Sequence, residues 1–430
     1  MKPYLLVLLL LSLICSACAG PLVPAETPAP AASPTPESKA TLMALPTVET
    51  TRSPERPTTL RIWLPPQFDP ADGSPAGDLL QARLVEFSGL HHGVRIEARV
   101  KALTGPGGLL DSLSAANAAA PLAMPDLILL PRALLETAAL KGLLHPVDGL
   151  ATTLNEDDWF AYAQQLARLQ NSTFGLPFAG DSLVLLYRPV DIDPPPKDWP
   201  TALTLSQPMI FPAANEQALF TLAQYLATGA SIQDAEGRPV LDSNALQEVL
   251  TFYQEAETTG LMPFWLTQFA TDDQAWEAYT ENQSNMIVTW TSRYLGDLPG
   301  DTSATSIPTL AGETFTLVDG WVWALSTPQS ERQALGVALA EFLTGGDFLA
   351  RWTAAAGYLP PRASALAGWS NTTLRSLVNL VVPSAQILPS NDVLAVIGPA
   401  LQKATVEVLK EQTDPKSAAQ QALDSLAAPR

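Results

Sequence analysis

Residues able to do covalent chemistry are scarce in this sequence. Its 430 residues include three histidines, His91, His92 and His145, and the first two follow Gly89-Leu90 in what reads as a solvated turn. No His-Glu-x-x-His zinc pattern, Gly-x-Ser-x-Gly elbow or Walker-type phosphate loop occurs. Thr104-Gly105-Pro106-Gly107-Gly108 is glycine-rich but has a proline and no lysine, so it reads as a loop. Glycoside hydrolysis needs two carboxyls facing across a cleft. Neighbours such as Asp157-Asp158 and Asp272-Asp273 point apart and read as helix-start or surface charges. Both cysteines, Cys15 and Cys18, lie at the start of the chain, so the folded part has no thiol for a disulfide, a redox step or a cysteine-metal site. Neither metal nor cofactor is expected. What remains is recognition. Ten tryptophans beside thirteen Phe and eight Tyr are a surplus of the largest flat apolar platform. Trp63 and Trp290 each end an apolar run that reads as a strand, and α/β folds hold ligands at the C-terminal ends of strands; the alternative for each is a place in a core. Asp181, just past Gly175-Leu176-Pro177, offers a carboxylate to a ligand or to a turn.

Positioning such groups takes a large scaffold, and a chain this long exceeds one ordinary core, predicting two or three domains. With 47% hydrophobic and 16% charged residues it is a globular protein. A net charge of -19 excludes nucleic acid as a partner, since no Lys/Arg stripe offsets the repulsion. Residues 59–64 read as a strand ending at Pro65-Pro66, and Leu79, Leu80, Leu84 and Phe87 repeat at helical spacing. Val94, Ile96, Ala98 and Val100 then alternate with charged residues as a second strand. A helix over 109–120, a buried strand over 127–130 and a helix over 133–141, closed by Gly142, follow. Strands alternating with helices imply a mostly parallel sheet covered on both faces.

Residues 173–182 read as a loop-like corner, broken by Gly175 and Pro177, that leads into a buried strand over 183–187 and marks a change of domain. Beyond it helices dominate 218–260, the clearest beginning near Asp242-Ser243, and 286–290 returns as a strand. Residues 315–326 read as a strand interrupted at Gly320, 333–343 and 351–356 as helices, and the chain closes with helices over 397–410 and 416–426. Trp323 is expected in a core. Trp159, Trp199, Trp265, Trp276, Trp352 and Trp369 are expected in cores or as surface packing.

At the start of the chain, Lys2 precedes an apolar core over 5–14, the length of a signal-peptide h-region and too short to span a bilayer. Cys15-Ser16-Ala17-Cys18-Ala19-Gly20 resembles a bacterial lipoprotein signal, with Cys15 where that signal usually has Leu. Removal of 1–17 would leave Cys18 as the acylated N-terminus; an ordinary cleaved secretory signal is the alternative. Residues 18–57, rich in Pro, Ala, Thr, Ser and Glu, read as a disordered tether. In polyproline-like form it would reach ~100 Å from a membrane anchor.

Taken in order, these pieces resemble the family 1 extracellular solute-binding proteins of bacterial ABC importers, the group that includes maltose- and other sugar-binding lipoproteins. The landmarks are Trp63 ending a first strand, Pro125-Asp126, the segment from Gly142 to Asp148, and Phe174-Gly175-Leu176-Pro177 before a strand ending in Tyr187. Asp198-Trp199, Met286, Ile307-Pro308, Asp319-Gly320-Trp321 and the turn from Gly357 to Arg362 follow. Two motifs differ from the usual pattern: Glu281 to Asn285 stand where Gly-Lys is common, and Arg188-Pro189 where Asn-Lys is.

The resemblance implies an α/β, two-lobed, periplasmic-binding-protein-like clamshell, each lobe a mostly parallel sheet covered by helices. Its chain would cross a hinge near Phe178, Gly320 and Leu359. One lobe would comprise 58–178 and 321–359, the other 179–320 and 360–430. It further implies a monomeric, extracytoplasmic receptor, lipid-anchored at Cys18, that captures a small solute and delivers it to the permease subunits of an ABC importer without doing chemistry. Sugars present flat apolar faces and a rim of hydroxyls, so a carbohydrate solute would draw on the aromatic residues and on side chains with paired donors and acceptors. On that basis Trp321 joins Trp63, Trp290 and Asp181 as a ligand residue, and Tyr358 and Arg362 flank the third crossing; hinge packing and a surface ion pair are the alternatives for these two. A non-sugar or sensory binding module on the same scaffold, and an extracellular carbohydrate-active enzyme, are the competing functions.

Overall fold

A computed structural model of the chain describes residues 58–427; the signal segment, Cys18 and the tether lie outside the described residues. In chain order the strands are β1 (Thr58–Leu64), β2 (Val94–Val100), β3 (Leu127–Pro131), β4 (Arg168–Leu169), β5 (Ser172–Thr173), β6 (Gly175–Tyr187), β7 (Met209–Ile210), β8 (Met286–Trp290), β9 (Ser303–Thr305), β10 (Thr316–Leu325) and β11 (Ala385–Ile387). Nine of them form one sheet, with β4 and β5 as a separate hairpin. The alternation read at Val94–Val100 does pair in parallel with β1, whose other edge takes β3, also in parallel. The helices Pro75–Leu90 and Leu109–Ala119 make the connections. In the other half of the sheet β7 and β8 are parallel. Between the halves run β6 and β10, antiparallel to each other: the end of β10 pairs with β3 and the end of β6 with β8. The described residues pack as one compact unit, because these two strands belong to both halves.

Two sequence expectations are corrected. Residues 173–182 are not a loop-like corner, since β6 is continuous from Gly175, and β10 runs unbroken through Gly320. Pro177 is accommodated by a slip in register. Trp321 lies opposite Ala179 and Val322 opposite Pro177, which leaves Phe178 as the extra residue of a β-bulge, where a missing proline N–H does least harm to the ladder. The glycines serve close approach and not a turn. A Cβ on Gly180 would come 2.5 Å from Tyr162 Oη, and one on Gly320 2.7 Å from Leu166 Cδ2. The helix Ala161–Leu166, not anticipated from the sequence, occupies the space these glycines leave.

Gly180 also exchanges two backbone hydrogen bonds with Leu359, at 2.9 and 2.8 Å. Gly320 is its cross-strand neighbour. The segments around Phe178, Gly320 and Leu359 therefore meet at one point, although two of them are strands and not loops. Elsewhere, Asp242 caps the helix Ser243–Thr259 by accepting from Ala245 N. The final helix is Pro415–Ala427, and the one before it, Asn391–Leu409, starts earlier than its periodicity suggested. Trp323, Trp159, Trp199, Trp352 and Trp369 are buried, while Trp265 and Trp276 pack half-buried against the core.

Candidate functional site

Residues opposite each other on neighbouring strands share a face, as do residues two apart along a strand. Asp319 lies opposite Asp181, and Leu183 opposite Trp290. One face of the sheet therefore carries Trp321, the facing carboxyls of Asp319 and Asp181, then Leu183 and Trp290. Two residues of strand span roughly 7 Å, so along the strands the carboxyls lie about that far from each indole, and the two indoles are roughly 14 Å apart in that direction, on the two strands that flank β6. Asp181, Asp319, Trp290 and Tyr358 keep partial exposure. On the opposite face Gly180, Gly320, Tyr162 and Leu166 are buried.

Each carboxyl holds the start of a helix in a different half of the molecule. Asp181 Oδ1 accepts from Thr291 Oγ1 (2.7 Å) and Ser292 N (2.9 Å), and its Oδ2 from Ser292 Oγ (2.6 Å), at the beginning of Thr291–Asp297. Asp319 Oδ1 accepts from Gly320 N at 2.8 Å and lies beside the amide and the charge of Arg132, the first residue of the helix Arg132–Leu140. Burial pushes Asp181 up to about 6, outweighing its hydrogen bonds, and the like charge of Asp319 adds to the rise. Burial likewise pushes Asp319 up to about 6 against the pull of the Gly320 amide and Arg132. The hydroxyls of Tyr162 and Tyr358 are raised by burial and by the Asp181 charge.

Trp321 stands edge-on to Phe68 at 4.7 Å between ring centroids, and Phe68 in turn contacts Tyr358 at 5.5 Å and Trp352 at 5.6 Å. Phe68 reaches this cluster from the short turn after β1. At the other end of the row, a cavity of about 130 Å³ adjoins Trp290, with Asn215, Gln217 and Asp272 among its polar walls. The sequence reading missed these three as ligand candidates. Asn215 and Gln217 follow β7, whose two residues are too few to show a period, and Asp272 does start a helix, Asp272–Thr280, as expected. Its carboxylate also accepts from Thr289 Oγ1 (2.7 Å) and Arg293 Nε (3.0 Å).

The other two sequence candidates are placed elsewhere. Trp63 lies opposite Ile128, and Ile128 opposite Ala324, so the indole is on the face away from Trp321. There it is 4% exposed, packed with Leu113, Ile128 and Leu135 and covered by Lys101, whose Nζ is 4.6 Å from the ring centroid. Arg362 is also 4% exposed. Its guanidinium pairs with Glu156 and Asp158 and lies 3.8 Å from the centroid of Trp159, which ties the third crossing to the loop before Ala161–Leu166.

A model of the bacterial extracellular solute-binding protein family matches residues 82–374. A search of curated proteins found no match. Among solved structures, the chain is similar to the cyclic alpha-maltosyl-1,6-maltose binding protein from Arthrobacter globiformis, with a TM-score of 0.71 and 16% identity over 86% of this chain and 98% of that one. It is similar also to the maltose-binding periplasmic protein from Listeria monocytogenes in complex with maltose, with a TM-score of 0.69 and 14% identity over 86% and 97% of the two chains. Maltose-bound MalE3 of T. maritima gives a TM-score of 0.65 and 15% identity over 86% and 99%. At such identities the likeness is one of fold, the two-lobed periplasmic binding protein fold.

Proposed function

Because this chain belongs to the bacterial extracellular solute-binding proteins, we propose that it is a receptor for a sugar or oligosaccharide, held over the face that carries Trp321, Asp319, Asp181 and Trp290, and handed to an ABC-type importer. The observation that carries this reading is the row itself: two indoles, Trp290 half-buried and Trp321 9% exposed, flank paired half-buried carboxyls on one sheet face. Indoles match the apolar faces of a pyranose, and carboxylates and amides its hydroxyls. Asn215, Gln217 and Asp272 beside Trp290 add hydrogen-bonding groups to one end of the row. Tyr358 joins through Phe68. Sugar-binding proteins among the structures of like fold agree with the reading.

In this reading the protein does no chemistry and works as a monomer. The lobes are 58–178 with 321–359, and 179–320 with 360–430. They close about the meeting point of Gly180, Gly320 and Leu359. A lipid on Cys18 anchors it; Cys18→Ser should move it from the membrane to the soluble fraction, and wild-type protein already soluble after signal cleavage would sink that part. A thermal-shift screen against sugars, polyols, amino acids and peptides tests the solute class. A true ligand at ~100 times its Kd adds about 2.7 kcal/mol. A response to amino acids or peptides alone would refute the sugar reading, and turnover of a glycoside would refute a pure receptor.

A further inference from the structure

The glycine-packed side of the crossing strands has a cavity of its own. Pro177 lies opposite Val322, two residues from Gly320, so it faces the side packed by Ala161–Leu166. There, with Gln164 and Ala167, it helps enclose a cavity of about 450 Å³, within the size range of small-molecule sites. Most of the remaining wall is polar. Asp148, Glu156 and Asp157 supply carboxylates, Arg168 a guanidinium and Asn155 an amide, beside the indole of Trp159.

Bonds on several sides fix this wall. Trp159 Nε1 donates to the Thr153 carbonyl at 2.7 Å and Arg362 backs the ring. Thr173 N donates to Asp148 Oδ2 at 2.8 Å, and Glu341 accepts from the amides of Thr152 and Thr153. Behind Trp159, the Nε of the 4%-exposed Arg362 is buried without a partner. The wall also touches the machinery of the front face. Arg132 Nη1 donates to the carbonyls of Leu166 and Arg168, at 2.8 and 2.5 Å, while its charge acts on Asp319.

We propose that this cavity is a second binding site, for a small polyhydroxylated amine of the amino-sugar class. The amides, Thr173 and Trp159 suit a hydroxylated ring. Among the charged side chains of the wall, carboxylates outnumber the single guanidinium, and Asp157 has no ion pair among the described residues. That excess favours an occupant with a positive amine. An occupant would bear on β6 through Pro177, on the third crossing through Trp159 and Arg362, and on Asp319 through Arg168 and Arg132, all at the point where the halves of the sheet join.

Glucosamine is the probe, with N-acetylglucosamine as its uncharged counterpart, titrated calorimetrically into the full chain. Glucosamine should bind, and acetylation or Asp157→Asn should weaken it about fivefold, the upper range for a solvent-accessible ion pair. Gln164→Trp, which fills the cavity from an exposed helix position, should abolish binding, while Trp290→Ala should leave it unchanged. Asp157→Asn keeps the test decisive if Gln164→Trp folds poorly. No glucosamine binding overturns the proposal. Binding lost in Trp290→Ala but kept in Gln164→Trp overturns it too, because the amine then occupies the front face and only the sugar-receptor reading survives. Glucosamine held behind the hinge with no sugar on the front would have the reverse meaning.

Discussion

The two faces of one strand pair, β6 and β10, are built on opposite rules. On the front, Asp181 faces Asp319 between Trp321 and Trp290, and all but Trp321 keep partial exposure. On the back, Gly180 and Gly320 have no side chains at all, and Tyr162 and Leu166 press against their backbones. A ladder of backbone hydrogen bonds is common to both. The front can therefore change partners, exchanging water or solute for its polar and flat groups, while the back around Gly180 and Gly320 is filled and cannot change there without a clash. The front can hold half-buried carboxyls while a close-packed face on the other side keeps the strands in place.

Losing a back-face side chain should have the largest effect. Trp63→Ala removes a fully packed indole on that side of the sheet and should cost about 3–5 kcal/mol of stability, read as a denaturant midpoint. Solute affinity of the folded fraction should not change; weaker binding at unchanged stability would place Trp63 on the front after all. Gly320→Val adds atoms where Leu166 already sits and should cost about 1–3 kcal/mol. An unchanged melting temperature would mean that the back face is looser than its contacts imply.

On the front the balance should reverse. Trp290→Ala should weaken solute binding by about 2 kcal/mol, roughly thirtyfold, and leave the melting temperature within a few degrees. Unfolding without selective loss of affinity would make Trp290 a core residue. The smallest effect concerns the carboxyls. A carboxyl raised from 3.8 to about 6 on folding holds its proton more tightly in the native state. Its contribution is therefore full below the unfolded value, is lost as pH rises toward 6, and is absent above. Asp319→Asn removes that term. The stability of the variant relative to wild type, read from the two melting temperatures, should accordingly rise between pH 4 and pH 7.5, by on the order of 1 kcal/mol after allowance for partial exposure. A difference that does not vary with pH would show that no buried charge forms there.

Local order was legible from the chain alone. The alternation of Val94–Val100, the helical spacing from Leu79 to Phe87 and the helix start near Asp242-Ser243 act over a few residues, and each forms as the sequence implies. The succession of landmarks from Trp63 to Arg362 was enough to indicate the family and the fold class, because it reflects element order, which a sequence carries directly. Which face a residue takes is another matter. Trp63 and Trp290 both end strands and look alike in sequence, yet they point to opposite sides, because parity becomes a face only when the register with the neighbouring strand is set. Asp181 and Asp319 are far apart in the chain and become a pair only through the antiparallel ladder. Gly175 and Pro177 looked like chain breakers because their local preferences are those of turns. Tertiary packing overrode those preferences with a bulge beside the proline and with neighbouring backbone that only glycine could admit. The amino-acid order determined the elements and their sequence; the register between distant strands, set by long-range packing, decided which residues meet.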